Sequence, residues 1–117
     1  MRVALLEMAG YMAARVAWVT QVRLVIVEHG RIESQTAHDV SGFTPAGLEQ
    51  LLGTLAPDVL VCGGIPPEWE RALRTQGVEV IWGVIGTNSQ VLMALASGRL
   101  GHDNVGWAGR GDTASVA

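Results

Sequence analysis

Residues 44–64 constrain the fold most tightly. Leu48, Leu51, Leu52 and Leu55 fall at i, i+3, i+4 and i+7, which lays one apolar stripe along a helix. Thr44 is a good N-cap for that helix, and Pro45 at its first position costs no hydrogen bond. Pro57-Asp58 ends it, and Val59-Leu60-Val61-Cys62 follows with no polar interruption before Gly63-Gly64. Four apolar residues are too few for a helix, and an apolar run without alternation suits an interior parallel strand covered on both faces. A leucine-striped helix feeding such a strand belongs to an α/β architecture, with parallel strands joined by helical crossovers of right-handed sense.

The rest of the chain extends this unit. Val3-Ala4-Leu5-Leu6 reads as a first buried strand, and Val22–Glu28, rich in β-branched residues, as a second. His29-Gly30 forms a turn into a more polar returning strand, Arg31–Thr36, at the sheet edge. Residues 8–17, with helix formers around Gly10, read as a loop or a short helix. Pro66-Pro67 opens a second helix with Trp69, Ala72 and Leu73 on its inner face and Gly77 as its cap. Val78–Trp82 is the fifth strand. A loop with Gly83 and Gly86 leads to a last helix capped by Thr87 or Asn88, carrying Val91, Leu92, Leu95 and Ala96 and closed by Gly98. The expected fold is a mixed five-stranded sheet of order 3-2-1-4-5, with strand 2 antiparallel to the rest. One domain is expected over residues 1–100, and the Gly-, Asp-, Ser- and Thr-rich stretch 101–117 reads as a flexible tail.

Bulk properties narrow the function. The 117 residues are 49% hydrophobic and 16% charged, enough for one core and too apolar for a disordered chain. A net charge of -3 without a basic cluster gives no footprint for nucleic acid. No apolar run approaches the ~20 residues of a membrane span. The single cysteine, Cys62, excludes an internal disulfide and fits a reducing, cytoplasmic compartment, and the N-terminus lacks signal-peptide character.

The order Val59-Leu60-Val61-Cys62-Gly63-Gly64-Ile65, a helix, Gly77-Val78-Glu79-Val80, a loop, and a helix ending Ala96-Ser97-Gly98-Arg99-Leu100 resembles the dinitrogenase iron–molybdenum cofactor biosynthesis family, the NifX-like domains. The likeness covers residues 44–100 in its motifs and the first 36 in outline. It implies a three-layer, ribonuclease-H-like fold. It also implies a non-catalytic accessory protein that binds an iron–sulfur or iron–molybdenum cluster precursor, with nitrogenase-assembly or iron–sulfur proteins as partners. In one segment the chain departs from the family pattern: Ala14-Arg15-Val16-Ala17-Trp18 stands where relatives often carry a histidine-containing His-Phe-Gly-Arg-like stretch.

Ligands of open α/β sheets bind outside the carboxyl ends of the strands. Gly63, Gly64 and Ile65 after the fourth strand, and Gly86, Thr87 and Asn88 after the fifth, are therefore the expected ligand-binding loops, sharing one pocket. Cys62 at the same edge reads first as a small buried hydrophobe. As a metal ligand it would need partners that a lone cysteine lacks. His38, in the connection after the third strand, is the second candidate ligand, reaching the pocket if that loop folds over it. His29 reads as a solvent-facing turn residue, and His102 lies in the expected tail. Two-metal nuclease chemistry is rejected: Glu7 follows the first strand, Asp58 lies at the opposite end of its own, and Cys62-Gly63-Gly64 occupies the place of a second acid. No nucleophile–base–acid set emerges, so an enzyme is not expected. The alternative to cluster binding is a cofactor-free interaction or self-association module on the same fold.

Overall fold

The computed structural model describes residues 1–98. The strands are β1 (Arg2–Met8), β2 (Tyr11–Met12), β3 (Gln21–Glu28), β4 (Arg31–Asp39), β5 (Val59–Val61) and β6 (Glu79–Ile81). The helices are α1 (Pro45–Leu55), α2 (Pro67–Thr75) and α3 (Asn88–Ala96), with a single 3-10 turn at Val16–Trp18. No helix among the described residues is long and apolar enough to cross a membrane. The proposed tail, 101–117, and the Arg99-Leu100 end of the last motif lie outside the described residues.

The strands form one sheet of order β4-β3-β1-β5-β6, with β2 attached to β1. β1 runs parallel to β5, and β5 to β6, while β3 is antiparallel to both β1 and β4. The expectation of five strands ordered 3-2-1-4-5 is thus corrected to six. The difference is the two-residue β2, which renumbers every strand after it. β2 exists because Ala9 (φ 52°) and Gly10 (φ 83°) make a tight turn of the two-residue hairpin kind, setting Met8 opposite Tyr11 and Glu7 opposite Met12. The same geometry at His29 (φ 54°) and Gly30 (φ 73°) joins β3 to β4.

Alternation along the strands sorts the core into two layers. Ala4, Leu6, Val22, Leu60, Cys62 and Val80 face α1 and α2, where Leu48, Leu52 and Leu55 are buried. Val3, Leu5, Val25, Val59, Val61 and Ile81 face α3, which buries Val91 and Leu95 on them. β5 is buried along its whole length, as expected of a strand covered on both faces. Each α1 leucine sealed against the sheet contributes roughly 1.5–3 kcal/mol, so the stripe fixes which face α1 presents. The caps follow the sequence. The Thr44 hydroxyl accepts from the Gly47 amide, and Thr87 and Gln90 form a reciprocal capping box at α3. On α2, Trp69 and Leu73 are half-buried, whereas Ala72, expected on its inner face, is exposed.

Candidate functional site

The carboxyl ends of β5 and β6 lie side by side. The Gly83 amide donates to the Gly63 carbonyl at 3.0 Å, and the Val84 amide to that of Cys62 at 3.0 Å. The two glycine loops therefore share one edge, yet the space between and above them is taken by the chain's own residues 10–16. The Met12 amide donates to the Gly86 carbonyl at 2.8 Å, and the Asn88 amide to the Gly10 carbonyl at 2.9 Å. The Gly64 amide donates to Ala14 at 2.7 Å, and the Val16 amide returns to Gly64 at 2.9 Å. A Cβ built on Gly63 would sit 2.2 Å from the Ala13 carbonyl oxygen and 2.7 Å from that of Ala14. Glycine is required there by close backbone approach.

That strap displaces the open cleft to one side. A cavity of about 610 Å³ opens on the α1–α2 side of the sheet end. Its buried base is Val16, Val19, Val40 and Leu48. Ile65, Pro66 and Trp69 form one wall, and the Phe43-Thr44-Pro45 entry to α1 forms the other. Ala14, Arg15 and Ala17 complete the mouth. Of the six expected ligand-loop residues, Gly64 and Ile65 line this cavity. Gly63 is buried beneath the strap, and Gly86, Thr87 and Asn88 are engaged with residues 10–12 and the α3 cap. Of the residues that sequence reasoning missed, Val16 comes from the segment 8–17 read as loop or helix, Val19 from the stretch between it and the second expected strand, and Val40 and Phe43 from the β4–α1 connection.

Cys62 is fully buried within the α1–α2 layer. Burial, and secondarily the nearby Glu70 carboxylate, push its thiol from an ordinary value of 9.0 up to about 12. So deep a burial is the setting of a small core hydrophobe, the first of the two readings of Cys62. Because the unfolded chain ionises first, the thiol's contribution is intact below pH 9 and falls as pH rises from 9 toward about 12. Thiol-directed reagents are expected to leave the native protein unlabelled at pH 8 and to label it rapidly in denaturant. Prompt native labelling would contradict this placement.

The expected position of His38 is corrected. The third expected strand does not stop at Thr36 but continues to Asp39, so His38 lies within β4, paired with Val22, and not in a loop over the pocket. Among the described residues no three of His, Cys, Asp or Glu converge as a metal site. Glu7, expected just after the first strand, lies inside β1 and is fully buried. Its carboxylate accepts from Arg23 Nε at 2.9 Å and from Gln21 Nε2 at 2.8 Å, and Arg23 Nη1 reaches Gln35 Oε1 at 3.2 Å.

No family model and no curated protein matches this chain. Solved structures do. PH0822 superposes with a TM-score of 0.74 at 21% identity, over 88% of this chain and 98% of its own. The crystal structure of MJ0327 from Methanocaldococcus jannaschii, named as a candidate dinitrogenase, superposes with a TM-score of 0.68 at 13% identity, over 86% and 92% of the two chains. The solution structure of MJ0327 gives 0.65 at 13% identity, over 86% and 90%. The chain shares the mixed α/β fold of PH0822 and MJ0327.

Proposed function

We propose that this protein is a non-catalytic binding domain on the fold of the dinitrogenase-related accessory proteins, and that its ligand site is the apolar cleft between α1, residues 14–19 and Gly64–Pro66. The dinitrogenase name carried by MJ0327 supports a nitrogenase-related reading, and the motif order from Val59 to Leu100 supports the accessory role that the resemblance implies. The helices on both sheet faces and the single reversed long strand, β3, suit the ribonuclease-H-like motif that the resemblance implies. Partners among nitrogenase-assembly or iron–sulfur proteins, and a cytoplasmic setting, belong to the same proposal.

The observation that carries the reading is the cleft itself. Its volume lies within the range of small-molecule sites, and its lining is almost wholly apolar. Arg15 is the one ionisable residue of that lining, and the Thr44 hydroxyl is committed to its helix cap, so no acid–base pair faces the space. A cluster precursor held by this chain's own thiolates does not fit, because Cys62 is sealed in the core. The donor set favours a ligand recognised by shape and apolar contact.

Nile red, a neutral dye that brightens in apolar surroundings, tests the site. Wild-type protein is expected to bind it with a single saturable rise in emission. Ala17→Trp, which fills the mouth from an exposed position, is expected to abolish that rise while circular dichroism and the thermal midpoint stay unchanged. Equal binding by both proteins would place the dye elsewhere and contradict the assignment.

A further inference from the structure

We infer that the cleft takes an amphipathic anion, a small molecule with an apolar body and one compact negative group such as a carboxylate, and that Arg15 is the residue that reads the charge. This inference rests on the cleft being the binding site. The reasoning starts from charge. Every lining residue except Arg15 is uncharged, so Arg15 is the one cationic side chain bordering an otherwise apolar space. The resolved ion pairs of the described residues are the N-terminus with Glu28, Arg23 with Glu7, and Arg74 with Glu70, and none engages Arg15. Its guanidinium lies instead over the Trp18 ring, 5.6 Å from the centroid. An aromatic face holds a guanidinium without neutralising it, which leaves its in-plane N–H donors open to a ligand.

The backbone of Arg15 is also fixed in place. It forms a parallel bridge with Gly64, held by the flanking bonds of Ala14 and Val16. A Cβ on Gly64 would come within 3.8 Å of Arg15 Cγ, so the side-chain stem runs across that glycine at the cleft wall. The other conceivable anion site is weak. At the start of α1, Pro45 has no amide hydrogen, the Gly47 amide is bound by the Thr44 hydroxyl, and the Leu48 amide by the Thr44 carbonyl. The helix end is largely satisfied by its own cap, and the charge preference falls to Arg15.

Octanoate and 1-octanol, which share an eight-carbon chain class and differ in charge, separate the possibilities when used to displace Nile red at pH 7.5. Arg15 is exposed, so its pairing with a carboxylate is discounted for solvent screening. Octanoate is expected to displace the dye at a concentration roughly fivefold below that needed for octanol. Arg15→Gln is expected to erase the difference while still binding Nile red. Equal displacement by the two ligands in wild type, or a preference that survives Arg15→Gln, overturns the assignment of Arg15 and leaves the cleft reading standing. If neither ligand displaces the dye and Ala17→Trp does not affect dye binding, the cleft reading fails together with this one.

Discussion

Gly63→Ala is expected to destabilise the protein by about 3 kcal/mol or more, the largest loss from removing no contact at all. The added methyl would sit 2.2 Å from the Ala13 carbonyl oxygen and 2.7 Å from that of Ala14. Both obstacles are backbone, so no side-chain rotation relieves them. Relief requires lifting residues 13–14 off the sheet end, which breaks the bonds from Gly64 to Ala14 and from Ala13 to Leu6. Gly64→Ala is the internal comparison. Its methyl would meet the Ala14 oxygen at 3.1 Å and Arg15 Cγ at 3.8 Å, a contact that a few tenths of an ångström relieve, and a loss of about 1 kcal/mol is expected. Urea denaturation of the two variants beside wild type measures both. A Gly63→Ala protein within about 0.5 kcal/mol of wild type would mean that the strap does not cover the end of β5.

The second large effect concerns the buried ion pair. Glu7 is fully buried and Arg23 is 19% exposed, their contact bridging β1 and β3 at Nε–Oε2 2.9 Å. Arg23→Leu removes the cation and leaves a carboxylate in the core with Gln21 as its remaining side-chain donor. A loss of about 3 kcal/mol is expected, at the lower end for a broken buried pair because the partly open Arg23 site admits water. Replacing both, Glu7→Leu with Arg23→Leu, is expected to return stability to within about 1 kcal/mol of wild type, since an apolar pair removes the desolvation cost along with the attraction. A double variant as unstable as the single one would show that the network's worth lies outside the pair, in Gln21 and Gln35.

These two sites mark where sequence reading stops. The leucine stripe of α1, the interior β5 and the His29-Gly30 turn are local signals, and the structure has them where periodicity and turn chemistry put them. β2 has no periodicity to detect, being two residues long, and its turn uses Ala9, a residue that seldom adopts positive φ. Gly10 after an apolar run was the one available cue. Met12, Val16 and Val19 are buried at i, i+4 and i+7, a helical spacing in a segment that is strand, bend and 3-10 turn. Met12 is buried in the α3-side layer and Val16 and Val19 in the α1-side layer, so no single helical face buries them and the pattern could not reveal the conformation. In the sequence Glu7 marks the end of a strand, because a carboxylate inside an apolar run looks like an interruption. The partner that explains it, Arg23, is 16 positions away, across the β1–β3 ladder.

The cleft was invisible for the same reason. Val16, Val40, Leu48 and Ile65 belong to four segments that meet only after β1, β3 and β5 pair and α1 packs on them. The rule placing ligands at the carboxyl ends of parallel strands points to the end of the sheet beside which the cleft opens. It does not foresee a chain that lays its own residues across that end and moves the opening to one face.

Amide chemical shifts of the isotopically labelled protein, followed by NMR during titration with octanoate, test the central claim most directly. Perturbations are expected to concentrate at residues 14–19, 40–48 and 64–65, with the Gly83–Asn88 loop unmoved. Shifts centred on that loop, or spread evenly over the sheet edges with no saturation, would contradict the cleft as the binding site.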